Sequence, residues 1–364
     1  MPVSSGSPPF RSVLHGVPFQ EQDGVVGSCA HVCVRGSLGL LAANYTSVHA
    51  LTFPEISTAA GVPDASQGLT YAQIMLALQS GGCTVHAYQG GEFGLDQIAY
   101  YYNESGFPVI LGIKTDEDVG HALLILGHEF DPHAWWPDAG PGYFPSLGDG
   151  REWFSSALWT GNFVVHDDNF GPYLNVHHSV IRNSGVVAIV PIPNCIDLRY
   201  DMLVAEAIAA LVLSDTEVIN HLKSRSKSRW TDALLGKDES VPPVLRTRLL
   251  QSADVRQHIE MSGYPPRVRT AYHNTPLPKW VYLVEVSVAS MYGAMLKLGE
   301  IILDPSIDVV SAPDRGPETI RIIHLPGMYW HMPFTTTDAP VFVDTDRPTR
   351  LFCRPTFQEL SSSC

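Results

Sequence analysis

The stretch at residues 22–45 reads QDGVVGSCAHVCVRGSLGLLAANY, and the interpretation of the whole chain starts from it. It is apolar and rich in small residues from Cys29 onward, and the preceding Ser28 is a plausible N-cap. The pattern predicts a helix from about Cys29 to Ala43. Its two internal glycines weaken it locally, and glycines inside a helix often let another backbone come close. We therefore expect a buried central helix with a cysteine at its N-terminus.

Composition and charge exclude several functional classes. The chain has 364 residues, of which 45% are hydrophobic and 16% charged, so it can form a sizeable core. The formal net charge of −14 argues against binding to nucleic acid or to an anionic membrane. The sequence has no uninterrupted run of 18 apolar residues, so we expect no membrane span. The N-terminus lacks the basic segment followed by an apolar segment that is typical of a secretory signal. Apart from Cys29 and Cys33, the six cysteines are widely spread, which favours reduced thiols and a cytoplasmic location.

Helix signals dominate the first hundred residues, and strand signals follow them. Capping patterns and glycine stops predict three further helices, at residues 51–62, 68–82 and 94–106. Period-two alternation and apolar runs predict strands at residues 83–88, 107–115, 120–130, 161–174 and 184–193. Helices that precede an antiparallel sheet in this way are typical of an α+β domain.

The second half of the chain predicts a further α+β region. Helices are predicted at residues 197–215 and 242–263. Strands are predicted at residues 279–288, 299–306 and 319–327. We place a domain boundary near residue 195, which gives an N-terminal domain (1–195) and a C-terminal α+β region (196–364). The alternative is that the late strands extend the first sheet.

Cys29 has the position of a nucleophile. A thiol attacks as the thiolate, and the unpaired N–H groups at a helix N-terminus stabilise that anion. The reaction also requires a base, a polar group that orients the base, and donors for the oxyanion. His121, which follows Gly120 at the start of an apolar strand, is the candidate base. Asp167, which closes the strand FVVHD, is the candidate orienting group.

The candidate oxyanion donor is Gln22, which precedes Cys29 by seven residues. Its side-chain amide would act beside the backbone N–H of Cys29. Gln20 is the alternative glutamine.

Three stretches have the order of a known peptidase family: EQDGVVGSCA, ESGFPVILGIKTDEDVGHALLILGHE and FVVHDDNFGPYL. This order of glutamine, helix-leading cysteine, strand histidine and strand-end acid resembles the papain-like cysteine peptidases. Within them it is most similar to the bacteriocin-processing, double-glycine-type branch, over about residues 19–190. The resemblance implies Cys29 as nucleophile, His121 as base, Asp167 as orienting acid and Gln22 in the oxyanion hole.

One departure from that branch leaves the orienting group open. A proline follows the acid in the branch, and Asp168 stands at that position here. Asp168 or Asn169 is therefore an alternative to Asp167 as the group that orients His121.

The resemblance implies a papain-like α+β fold, with N-terminal helices packed on an antiparallel sheet. It also implies a thiol hydrolase that cleaves peptide or isopeptide amides of a protein or peptide substrate, without a cofactor. Acyl transfer to an amine by the same thiol, or a catalytically inactive scaffold, are the alternatives. The aromatic-rich residues 131–160 would form either a substrate-facing wall or structural packing.

The chain has fifteen histidines, so a metal site has to be considered. His121 and His128 are seven apart, which places them on opposite faces of a strand. No CxxC or HExxH spacing is present, and neither is a phosphate-binding glycine motif. We therefore predict neither a metal nor a nucleotide cofactor.

Overall fold

The computed structural model describes residues 17, 28–64, 66, 68–90, 94–114, 120–131, 153–225, 229–235, 243–331 and 348–352. Its α-helices are α1 (Cys29–Ala42), α2 (Phe53–Ala60), α3 (Tyr71–Ser80), α4 (Leu95–Glu104), α5 (His178–Ser184), α6 (Met202–Ser214), α7 (Thr216–Arg225), α8 (Arg229–Leu234), α9 (Ser252–Met261), α10 (Pro266–Asn274) and α11 (Ala289–Tyr292). Short 3₁₀ helices span Ser156–Trp159 and Pro313–Thr319.

The strands of the described residues fall into two large sheets and one small one. They are β1 (Cys83–Gln89), β2 (Val109–Lys114), β3 (Gly120–Phe130), β4 (Phe154–Ser155), β5 (Thr160–Asp167), β6 (Gly171–His177), β7 (Gly185–Pro193), β8 (Pro243–Gln251), β9 (Trp280–Val288), β10 (Leu296–Lys297), β11 (Gly299–Leu303), β12 (Ile320–Leu325), β13 (Met328–His331) and β14 (Thr349–Arg350).

The first sheet carries the candidate site. Its order is β1-β7-β2-β3-β5-β6, and all its neighbouring strands are antiparallel. Helix α1 packs on β2 and β3 and also contacts α2 and α3. Its interior residues Val34 and Leu38 are fully buried, and His31 hydrogen bonds to Ser57 of α2 over 3.1 Å. The expected buried central helix is thus fixed between the sheet and its helical neighbours.

The second sheet has the order β13-β12-β11-β9-β8-β4. The late strands therefore form a sheet of their own and do not extend the first one. Strand β4 precedes β5 in the chain, yet it pairs in parallel with β8 through Phe154 and Ser155. The domain boundary near residue 195 stays a prediction, because the largest hydrophobic core includes residues from both halves.

Two predicted elements were wrong. The predicted strand at 161–174 is a hairpin of β5 and β6, because the Asp-Asp-Asn-Phe-Gly turn reverses the chain and Gly171 takes a φ of +125°. The predicted helix at 242–263 begins as strand β8 and becomes helical only at Ser252. Strand pairing overrides the local pattern there, since β8 pairs with β9 along its whole length.

Candidate active site

Cys29 is the first residue of α1 and is partly buried. Ser28 occupies the N-cap position, but its side chain makes no capping hydrogen bond to the helix. Its φ of −90° and ψ of 0° lie outside the extended region from which a serine oxygen reaches the first turn. The Ser28 side chain therefore does not cap the first-turn N–H groups, and N–H groups at a helix N-terminus favour negative charge nearby.

His121 is the second residue of β3 and pairs with Ile113 of β2. Helix α1 packs on β2 and β3, and its first residue, Cys29, interacts with this histidine near the start of β3. The imidazole forms a hydrogen bond with the Cys29 thiol. Cys29 and His121 are thus brought together from positions 92 residues apart in the sequence.

Asp167 lies at the end of β5, the strand next to β3. Its Oδ1 atom is 3.1 Å from Nε2 of His121, and both side chains are 11% exposed. Because Nε2 hydrogen bonds to Asp167, the other ring nitrogen, Nδ1, is the atom that can hydrogen bond to Cys29. The backbone N–H of Asn169 donates to the same Oδ1 over 2.9 Å and fixes the carboxylate.

The alternatives to Asp167 occupy different positions. Asp168 places Oδ1 3.7 Å from Nε2 of His121, which is within ion-pair range but too long for a hydrogen bond. Asn169 contributes its backbone N–H to Asp167. Asp167 is therefore the acid that hydrogen bonds to the imidazole.

Burial and charge shift the titration of all three groups. Burial opposes the charged form of His121, but the hydrogen bonds to Asp167 and Cys29 and their charges raise its pKa to about 10. Burial also raises the pKa of Asp167, and its bonds to His121 and to the backbone more than offset this, so that its pKa is lowered. For Asp168 burial prevails, and its pKa is raised. At neutral pH the imidazole next to the sulfur therefore carries a positive charge.

The remaining predicted residues divide into two groups. Gln22 and Gln20 lie outside the described residues, as do the aromatic residues Trp135, Trp136 and Tyr143 of the 131–160 segment.

Trp153 and Trp159 are 3% and 2% exposed, so these two belong to structural packing. Trp159 packs against Tyr292 of the second half with ring centroids 4.9 Å apart.

Sequence reasoning missed an exposed aromatic surface beside the site. Phe170 and Tyr173 are 79% and 51% exposed, and they follow Asp167 in the turn and in β6. Large aromatic residues in an otherwise polar turn were the available signal.

A cofactor or metal could be held only where suitable side chains converge. Among the described residues, one group of histidine, cysteine or acidic side chains is close enough to share a metal ion: His121, Asp167 and Asp168.

Comparisons with known proteins found matches among solved structures. No protein-family model matches the chain, and no curated protein matches it. The peptidase domain of Streptococcus ComA, a bi-functional ABC transporter involved in a quorum sensing pathway, matches with a TM-score of 0.32 and 12% identity. That match covers 48% of this chain and 96% of the other.

Two further structures match in a similar way. The peptidase domain of Streptococcus mutans ComA has a TM-score of 0.29 and 11% identity, over 48% of this chain and 98% of the other. A double glycine motif protease from an AMS/PCAT transporter, solved in complex with the leader peptide, has a TM-score of 0.27 and 13% identity. It covers 49% of this chain and 92% of its own.

The matches to these three solved structures cover about half of this chain. The fold of the chain is α+β, with N-terminal helices packed on an antiparallel sheet and with a second α+β region. In the described part of the chain, no helix has the length and hydropathy needed to cross a membrane.

Proposed function

We propose that this protein is a thiol hydrolase that cleaves peptide or isopeptide amide bonds through Cys29, His121 and Asp167. One observation carries the proposal: a sulfur at a helix N-terminus hydrogen bonds to an imidazole whose far nitrogen is held by a buried carboxylate. This is the arrangement that nucleophilic catalysis by cysteine requires. A structural thiol in a core needs none of these partners.

The reaction follows from where the protons lie. The Cys29 thiolate attacks the amide carbonyl carbon, and the carbonyl oxygen becomes an oxyanion. The backbone N–H of Cys29 and the proposed side-chain amide of Gln22 donate hydrogen bonds to that oxyanion. As the C–N bond breaks, Nδ1 of His121 gives its proton to the leaving amine, and an acyl-thioester remains.

Water completes the cycle. Neutral His121 takes a proton from the attacking water, and the C–S bond then breaks to release a carboxylic acid, which ionises in solvent, and to restore the thiolate–imidazolium pair. Asp167 keeps Nε2 protonated and directs Nδ1 toward the sulfur throughout. Amide and water are consumed, acid and amine are formed, and no cofactor takes part.

An extended peptide is the substrate that the surroundings of the site support. In the described part of the chain, β6 forms an outer edge of the first sheet, and such an edge can pair with an added strand. Phe170 and Tyr173 supply exposed aromatic surface next to Asp167 for the side chains of the peptide. The sequence resemblance to leader-processing peptidases points to the same class of substrate.

We further propose that the protein acts in a reducing compartment such as the cytoplasm. The four cysteines among the described residues are free thiols, and Cys195 is exposed. A catalytic thiol also has to stay reduced in order to react.

Alkylation and mutation of Cys29 test the proposal. We expect iodoacetamide at neutral pH to modify Cys29 faster than Cys195, although Cys195 is the more exposed thiol. The Cys29→Ala variant should lose cleavage of a peptide library by at least about a thousandfold, as when other nucleophiles are removed. Cys195→Ala is the matched control and should retain activity.

Two other outcomes would replace the proposal. Equal alkylation rates for the two thiols, with no difference between wild type and Cys29→Ala, would indicate an inactive scaffold. Faster formation of amide than of acid when an amine is added would indicate acyl transfer by the same thiol.

A further inference from the structure

Asp168 is a buried carboxylate beside the site that the proposed mechanism does not use. Its side chain is 1% exposed, and among the described residues neither of its oxygens has a hydrogen-bond partner. Leaving a charged group buried without such partners is costly. Asp168 is also aimed at the imidazole, since its Oδ1 lies 3.7 Å from Nε2 of His121.

Three potential ligand atoms converge at this point. Nε2 of His121 is 3.1 Å from Oδ1 of Asp167 and 3.7 Å from Oδ1 of Asp168, and one ligand atom from each residue lies within 4.8 Å of the others. Zinc binds such nitrogen and oxygen atoms at about 2.0–2.2 Å, so neighbouring ligands in a tetrahedral site are roughly 3.3 Å apart. The observed spacing therefore requires only small shifts.

We propose that His121, Asp167 and Asp168 form a binding site for a divalent transition metal of the zinc class. An imidazole with two carboxylates suits zinc, cobalt or nickel, whereas magnesium and calcium prefer oxygen ligands alone. Two negative side chains and a net charge of −14 attract a dication. His121 and Asp167 are each 11% exposed, which gives the ion and a completing water a path.

Metal binding would switch the proposed hydrolase off, and this consequence rests on the proposed function. The metal replaces the proton on Nε2, which leaves for solvent, and the ring keeps one proton on Nδ1. Giving this last proton to the leaving amine would turn the ring into an imidazolate, so the acylation step is blocked. Binding itself depends only on the three side chains.

Cobalt binding to the metal-stripped full-length chain tests the site without measuring activity. We expect Co²⁺ to give visible d–d bands of a four- or five-coordinate ion, and Zn²⁺ to abolish them by competition. Asp168→Asn should weaken the metal at least about tenfold, because a direct ligand contributes no less than an outer partner. Asp167→Asn should weaken it as well, which keeps the test valid if one variant folds poorly.

Two further variants complete the test. Glu260→Gln is the matched control, since Glu260 pairs with His273 over 2.6 Å on the exposed surface, and it should leave the affinity unchanged. Cys29→Ala should also bind cobalt normally, which separates this proposal from the hydrolase proposal. Unchanged affinity in folded Asp168→Asn, or loss of binding in Cys29→Ala, would overturn the assignment.

Discussion

The imidazole of His121 lies between the sulfur of Cys29 and the carboxylates of Asp167 and Asp168, and these neighbours determine its protonation. A histidine with an ordinary pKa would be mostly neutral at pH 7. Here burial opposes the charge and the anionic partners prevail, so that the pKa rises to about 10. The folded state therefore binds a proton that the unfolded chain releases above its ordinary pKa. His121 contributes this stability fully below that pKa, and the contribution is lost as the pH rises through about 10.

The first prediction concerns Asp167→Asn. Removing the carboxylate charge lowers the pKa of His121, so the imidazolium is lost at lower pH. The alkaline limit of peptide cleavage, which needs the imidazolium to protonate the leaving amine, should move down by roughly one pH unit or more. Cleavage rates measured across pH check this, together with an NMR titration of the His121 ring.

Glu129→Gln is the control for this prediction. Glu129 lies on the same strand β3, is exposed, and accepts from Asn162 over 2.9 Å. It should leave the alkaline limit in place. An unmoved limit in Asp167→Asn would show that Asp167 does not set the charge of His121.

At the scale of elements, helix α6 and strand β8 meet through a buried acid. Glu206 of α6 accepts a hydrogen bond from Thr247 over 2.9 Å. Burial raises the pKa of Glu206 to about 8, although hydrogen bonds to Thr247, Tyr101 and Ser155 lower it in part. The acid is therefore protonated in the folded protein at neutral pH.

The second prediction concerns Glu206→Gln. Between pH 4.5 and about 8 the folded protein holds a proton on Glu206 that the unfolded chain has released. The free energy of unfolding therefore falls as the pH rises, by up to about 1.4 kcal/mol per pH unit. Glutamine does not ionise, so this slope should disappear and the variant should be the more stable protein at about pH 9.

Urea unfolding at about pH 5, 7 and 9 measures this effect. Glu217→Gln, on the exposed first turn of α7, is the matched control and should keep the wild-type slope. Parallel pH profiles for Glu206→Gln and wild type would contradict the assignment of a neutral buried acid.

Helices and strands could be predicted from the sequence where neighbouring residues determine them. The helix that begins at Cys29 and the strand that begins at Gly120 match the predicted starts, because caps, glycines and apolar runs mark them. Strand β8 was not predictable in this way, since its arginines are buried only because acids from distant segments neutralise them. The burial of Asp168 likewise depends on packing that no local pattern shows.

At the scale of the whole molecule, buried ion pairs join the two halves of the chain. Glu104, at the end of α4, accepts from Arg246 over 2.7 Å and lies 3.3 Å from Arg248. Neutralisation by these arginines overcomes burial and lowers the pKa of Glu104 well below its usual range. Strand β4 adds a second connection, because it joins the sheet of the second half.

The third prediction concerns a chain that ends at residue 195. This fragment lacks β8, so Glu104 loses both arginines and β4 loses its partner strand. Removing the partners of a buried ion costs about 3–5 kcal/mol, which is a large part of the 5–15 kcal/mol typical of domains. We expect the fragment to melt without cooperativity and to bind a hydrophobic dye, whereas the full chain melts sharply.

Circular dichroism and dye fluorescence measure this difference. The fragment with Glu104→Gln is the informative companion, because it removes the charge that the arginines no longer neutralise and should recover part of the stability. A fragment that melts as sharply as the full chain would instead support an independent domain ending near residue 195.

The link between Glu104 and Arg246 also has a consequence for synthesis, because these residues are 142 positions apart. Ribosomes add about 5–20 residues per second, so the arginine emerges roughly 7–30 s after the glutamate. During that interval the acid of the nascent first half has neither of the arginines that neutralise it in the folded chain. The surroundings of Glu104 are therefore completed only after β8 has been made.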